Sequence, residues 1–82
     1  MLDVVRLHTL VAVVDSGSFS AAARDLHISQ PAVSRQIALL ERQLGTALLV
    51  RTRGAVTPTQ AGQLLAEHAV AAWIAWHWPR FR

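Results

Sequence analysis

The sequence has no cysteine and no lysine. Without cysteine there are no disulfides and no thiolate metal ligands, and a reducing cytoplasm is the compatible setting. Without lysine, all eight basic residues are arginines, which form bidentate, weakly hydrated contacts with phosphates and guanine edges. Long apolar runs are also missing: Glu67, His68 and His77 interrupt the C-terminal apolar segment before it reaches the roughly eighteen residues a membrane helix needs. Met1-Leu2-Asp3 offers no basic region ahead of an apolar run, so no signal peptide is expected. Acidic residues are scarce where they would matter most. From Ser29 to Thr57, Arg35, Arg42, Arg51 and Arg53 face Glu41 alone, which marks this middle third as the anion-facing part. The bland alternative is an ordinary charged surface.

At 82 residues the chain is one small domain, with a modest core that is marginal without staples or a partner. The most informative stretch is Ile28-Ser29-Gln30-Pro31-Ala32-Val33-Ser34-Arg35-Gln36-Ile37. Ser29 suits an N-cap and Pro31 a first helical turn. Val33, Ile37, Leu40 and Leu44 then form a core stripe at helical spacing. The opposite face carries Gln30, Pro31, Ser34 and Arg35, without the Glu and Lys pairs of a solvated helix. It is suited to touching a polar, anionic surface at close range.

The preceding segments supply the scaffold. Asp3 can cap a first helix whose face is Val4, Leu7, Leu10, Val11 and Val14. Its valine content argues for strand, but spacing and length favour helix. Gly17 suits the left-handed end of that helix and Ser18 the next N-cap. A short second helix buries Phe19, Ala22, Ala23 and Leu26. The turn after it has no glycine, so His27 is expected to take the left-handed conformation, with Ile28 tucked beneath the turn as a core plug. Two helices joined this tightly describe a helix-turn-helix. The third should run to Leu44, with Gly45 after it.

Leu48 to Thr52 has strand character, Arg53-Gly54 suits a hairpin turn, and Ala55 to Thr57 suits a return strand. Two strands cannot stand alone, so the hairpin must lean on the helices as a wing. For a fourth helix, local rules allow two caps: Thr57, which starts a capping box, or Thr59. Its stripe is Leu64, Leu65, His68, Ala69, Ala72 and Trp76, and it should end near Trp78, ahead of Pro79.

In this order, Phe19-Ser20-Ala21-Ala22-Ala23, Leu26 to Ile37, Leu40-Glu41, Leu44-Gly45, Leu48-Leu49-Val50-Arg51 and Thr59-Gln60-Ala61-Gly62 resemble the N-terminal DNA-binding domain of LysR-type transcriptional regulators. The resemblance covers most of residues 1–68. It implies a mainly α fold: a winged helix-turn-helix over residues 1–58, with a three-helix core and a two-stranded wing. A long dimerising linker helix would occupy 59–78, and 79–82 would be a frayed tail. It implies that Gln30, Pro31, Ser34 and Arg35 meet the DNA groove, that Arg51, Thr52 and Arg53 belong to the wing, and that Thr59 is the linker cap; Ser29, the cap ahead of Gln30, is counted with the DNA-binding residues. Leu64, Leu65, His68, Ala72 and Trp76 would then line a homodimer seam.

Chemically, Gln30 can pair with adenine, Arg35 with guanine or phosphate, and Pro31 with a thymine methyl. Ser34 can serve base or backbone. Arg51 and Arg53 suit phosphate or minor-groove contact, and Arg42 ordinary surface. Leu49 departs from the family's usual Phe, and residues 71–82 do not look like family sequence. The family continues into an effector-binding domain, so no small-molecule effector site is expected in this chain.

The four histidines have no paired ligand spacing, so no metal is expected. No nucleophile elbow or glycine-rich phosphate loop suggests an enzyme, and no cofactor is implied. Trp73, Trp76 and Trp78 fit a buried patch better than a base-stacking platform. No membrane partner is expected, although Arg80-Phe81-Arg82 is compatible with a membrane surface. The leading expectation is a cytoplasmic, dimeric regulator that binds double-stranded DNA sequence-specifically. The rival is an interaction protein that pairs with full-length relatives through its fourth helix and blocks them.

Overall fold

The computed structural model describes residues 3–77, with side chains described for residues 3–71. The elements in order are α1 (Val4–Ser16), α2 (Phe19–Leu26), α3 (Gln30–Leu44), β1 (Leu49–Thr52), β2 (Ala55–Pro58) and α4 (Gln60–His77). Each of the first three helices begins at a side chain that satisfies an orphan amide. Asp3 accepts from Val5 N at 2.8 Å, Ser18 from Ala21 N at 3.2 Å and Ser29 from Ala32 N at 3.1 Å.

The first three helices end in left-handed residues. Gly17 closes α1 at φ 70° and Gly45 closes α3 at φ 68°. His27 closes α2 at φ 59°, as expected from the absence of glycine there. The His27 amide donates to Arg24 O and the Ile28 amide to Ala23 O at 3.1 Å, the paired bonds of a Schellman closure. This closure corrects one expectation. Ile28 stands just past the left-handed residue, over the end of its own helix, and is 37% exposed rather than plugged into the core.

Helix α1 is the hub, packing against α2, α3, α4 and β2. The core unites Leu10 and Val13 of α1, Phe19, Ala22 and Ala23 of α2, and Val33, Ile37 and Leu40 of α3. Leu48 ahead of the wing and Ala66 of α4 complete it. Two expected stripe positions lie at helix ends, past the packed core: Val4 is 64% exposed and Leu44 39%. Thr9 is buried instead, its Oγ1 bonding the Val5 carbonyl and the Gln36 amide group, which ties α1 to α3.

The wing is a two-stranded antiparallel hairpin with Leu49 opposite Pro58 and Thr52 opposite Ala55. Its two turn residues, Arg53 and Gly54, have φ of 45° and 80°. Positive φ at both central positions is the requirement of a type I′ turn, whose twist matches that of the strands. The first strand begins one residue later than expected and the second runs one residue further. The Val56 amide donates to Gly17 O at 3.3 Å, so the hairpin leans on the α1–α2 junction.

Between the local alternatives for α4, Thr59 is the cap. Its Oγ1 accepts from Gly62 N at 3.0 Å and donates to Ala47 O at 2.7 Å, while its own amide donates to Leu48 O at 3.0 Å. The first turns of α4 also pack Ala61, Leu65 and Ala66 into or against the common core. The arrangement is mainly α: a winged helix-turn-helix continued by a long fourth helix. Among the described residues, no helix is long and apolar enough to cross a membrane.

Candidate nucleic-acid interface

Capping by Ser29 places Gln30 and Pro31 in the first turn of α3, both exposed. Pro31 costs nothing there, because first-turn amides lack intrahelical acceptors. One turn later, Ser34 is half-buried and Arg35 exposed. The four therefore stand on one outward surface, while Val33, Ile37 and Leu40 bury the other face of the same helix. Arg42 is exposed on the last turns, away from the helix start.

The two flanks of this helix differ. On one side, Gln30 shares a cleft of about 290 Å³ with Ser18, Phe19 and Ser20 of the α2 start and Arg51, Gly54, Ala55 and Val56 of the wing. On the other, Arg35 and Gln36 line a groove with Asp3, Val5 and Arg6 at the start of α1. Arg6 lies 3.9 Å from Asp3, a solvent-accessible pair of little energetic weight. Ser18 and Ser20 were not singled out as site residues from the sequence. Ser18 was legible there as an N-cap; that the cap also rims the cleft depends on how α2 packs beside the wing.

The wing contributes Arg51, Thr52 and Arg53, all exposed. Arg53 stands at the apex in a left-handed conformation. Arg51 turns toward the helices: its guanidinium carbon is 4.0 Å from the Phe19 ring centroid and its Nη2 donates to Ser34 Oγ at 3.3 Å. The sequence placed Arg51 in the wing; this inward bridge it did not reveal.

Glu41 sharpens the electrostatics. Its carboxylate Oε2 accepts from Leu48 N at 2.8 Å and Leu49 N at 3.4 Å, and its backbone carbonyl accepts from Gly45 N and Thr46 N. The single acid of the middle third thus holds the loop into the wing. It forms no ion pair with Arg35, Arg51 or Arg53, so among the described residues that surface keeps its positive charge.

A second surface lies along α4. Leu64 is 59% exposed and His68 exposed, and they border a groove with Leu44, Thr46, Leu48, Ala61 and Leu65. Leu65 is half-buried and also packs on the chain's own core. The side chains of Ala72 and Trp76, and the expected tail at 79–82, lie outside the described residues.

Residues 4–63 match the profile of the bacterial regulatory helix-turn-helix proteins of the lysR family. The chain is 53% identical over 66 residues to the nitrogen assimilation regulatory protein nac of Escherichia coli (strain K12), a match covering 80% of this chain and 22% of the relative. Among solved structures, it superimposes on the BenM DBD in complex with catB site 1 DNA with a TM-score of 0.84 at 39% identity, covering 88% of this chain and 80% of the other. It also superimposes on full-length LysG from Corynebacterium glutamicum with a TM-score of 0.88 at 31% identity, covering 98% of this chain and 28% of LysG. The chain spans about a fifth of the length of nac. With its capped recognition-type helix, its wing and this match over most of its length, the chain belongs to the lysR family of bacterial regulatory helix-turn-helix proteins.

Proposed function

We propose that this chain is a transcriptional regulator's DNA-binding domain, acting in the cytoplasm on sequence-specific sites in double-stranded DNA. The observation that carries the reading is the outward surface of Gln30, Pro31, Ser34 and Arg35 at the start of α3, flanked by an arginine-bearing wing, with Glu41, the one acid between Ser29 and Thr57, bonded to the Leu48 and Leu49 amides. The likeness to the BenM DBD–DNA complex supports it. In this reading the start of α3, capped by Ser29, enters the major groove. Gln30 reads an adenine edge, Pro31 a thymine methyl and Arg35 a guanine or phosphate. The wing that carries Arg51, Thr52 and Arg53 lies beside the backbone, with Thr52 and Arg53 toward the phosphates.

Residues 1–58 would form the reading head and 59–78 the linker. The seam of a homodimer would carry Leu64, Leu65, His68, Ala72 and Trp76 of α4, supported by the exposed Leu64 and the apolar groove beside it. One reading helix per subunit then predicts a roughly two-fold symmetric site, with half-sites about one helical turn apart.

Two measurements test these statements. Duplexes selected from a random pool, then titrated against Gln30→Ala, should show a loss of about 1–3 kcal/mol on the best site and relaxed preference at one base pair per half-site. Equal weakening on selected and scrambled duplexes would remove Gln30 from base reading. For the seam, Leu64→Asp is the cleaner probe than Leu65→Asp, since Leu65 also supports the core. Light scattering should report a monomer for Leu64→Asp with its thermal transition kept; an unchanged dimer mass moves the interface off α4.

A further inference from the structure

We infer that Arg51 is a positioning residue that makes Ser34 a hydrogen-bond donor toward the DNA, rather than a phosphate clamp of the wing. The inference rests on the DNA-binding reading above and assigns the chemistry of one position within it.

Arg51 sits in β1, opposite Val56, and its side chain crosses from the wing to both helices of the helix-turn-helix. The guanidinium stacks 4.0 Å from the centroid of the buried Phe19 ring, and its Nη2 donates to Ser34 Oγ at 3.3 Å. Among the described residues it forms no ion pair with a carboxylate. Its favourable contacts are therefore a ring face on α2 and a hydroxyl on α3, and both hold the planar group in place.

The effect on Ser34 follows from the hydroxyl's inventory of one hydrogen and two lone pairs. A serine inside a helix commonly turns its hydrogen back to the carbonyl four residues earlier. Ser34 makes no such bond to Gln30 O; Arg51 is its side chain's hydrogen-bond partner among the described residues. One lone pair is taken by a cation, which leaves the hydrogen and one lone pair, the latter a weaker acceptor beside the charge. A charged donor also polarises the hydroxyl and strengthens its own donation. Serine by itself is indifferent to base identity. Held this way it favours guanine O6 or N7, adenine N7, thymine O4 or a phosphate oxygen, and it disfavours the amino group of cytosine.

A phosphate clamp and a positioning residue differ in what they do to salt dependence and to base preference. The test uses the full chain and a duplex selected by the wild type, together with duplexes varied one base pair at a time, at several salt concentrations. Arg51→Lys keeps the charge but loses the planar stack and the fork. It should keep the wild-type slope of log affinity against log salt, while preference at one base pair per half-site falls by about three- to tenfold. Ser34→Ala should relax preference at the same base pair, and adding Arg51→Ala to it should relax that pair no further. The inference is overturned if Arg51→Lys retains the wild-type base profile, or if Arg51→Ala lowers the slope by about one per subunit with the profile unchanged. Should Arg51→Ala fail to fold, Arg51→Lys and Ser34→Ala still decide the matter, because they must relax the same base pair. A wild-type chain that selects no duplex would instead overturn the DNA-binding reading itself.

Discussion

At the base of the wing, a β-carbon added to Gly62 would lie 2.0 Å from Leu48 O and 2.9 Å from Leu48 C. At its tip, a β-carbon added to Gly54 would meet nothing within 4 Å, yet the residue holds φ 80°. Both positions carry glycine, for opposite reasons. At the base, α4 and the loop ahead of β1 press together, drawn in by Thr59 N donating to Leu48 O and by Thr59 Oγ1 donating to Ala47 O. At the tip, only the twist of a two-residue hairpin dictates the backbone. The base is a tertiary constraint that carries the wing's placement; the tip is a local one that carries its shape.

The largest test of this contrast is Gly62→Ala. The methyl group would collide with the Leu48 backbone, so the loop and α4 must separate. The expected loss is about 3 kcal/mol or more, at the upper end for overpacking, seen as a lowered denaturation midpoint. A loss below ~1 kcal/mol would show that the base yields easily, and the comparison would collapse.

Glu41→Gln probes the base from α3. A neutral amide oxygen can still accept from Leu48 N, but the charge-assisted character is lost, so a cost of roughly 1–2 kcal/mol is expected in chemical denaturation. Hydrogen exchange at the Leu48 amide should speed up more than at the wing tip. Equal acceleration at both would mean that the hairpin responds as one unit.

The smallest effect, and of the opposite sign, belongs to the tip. Arg53 holds φ 45°, a region where side chains other than Asn and Asp are strained. Arg53→Asn creates the favoured residue pair of a type I′ turn and should raise stability by about 0.5–1 kcal/mol in thermal melts. A decrease would mean that the arginine side chain holds the tip through contacts outweighing its strain.

Local chemistry was legible wherever the deciding partners lie within about four residues. Asp3, Ser18 and Ser29 cap as read, Gly17 and Gly45 close their helices, and Arg53-Gly54 turns the hairpin. Even His27 was readable, because the turn length demanded a left-handed residue and no glycine was there. The outward set on α3 was legible for the same reason: helical periodicity separates Gln30, Pro31, Ser34 and Arg35 from the buried Val33 and Ile37.

Everything that depends on how far apart two elements settle was decided only by the tertiary structure. Periodicity says which face a residue occupies, but not where along the helix its partner ends, so Val4 and Leu44 emerge into solvent. Local rules left Thr57 and Thr59 open as caps; Thr59 prevails by its bonds to Ala47 and Leu48, twelve and eleven positions back along the chain. The bridge from Arg51 to Ser34 spans seventeen residues and exists because α2, α3 and the wing converge on Phe19. Sequence alone therefore sets the elements, most of their caps and their faces through short-range hydrogen bonds and helical spacing. The juxtaposition that turns a wing arginine toward a serine of α3 comes from packing around one core, where each side chain's position depends on all the others.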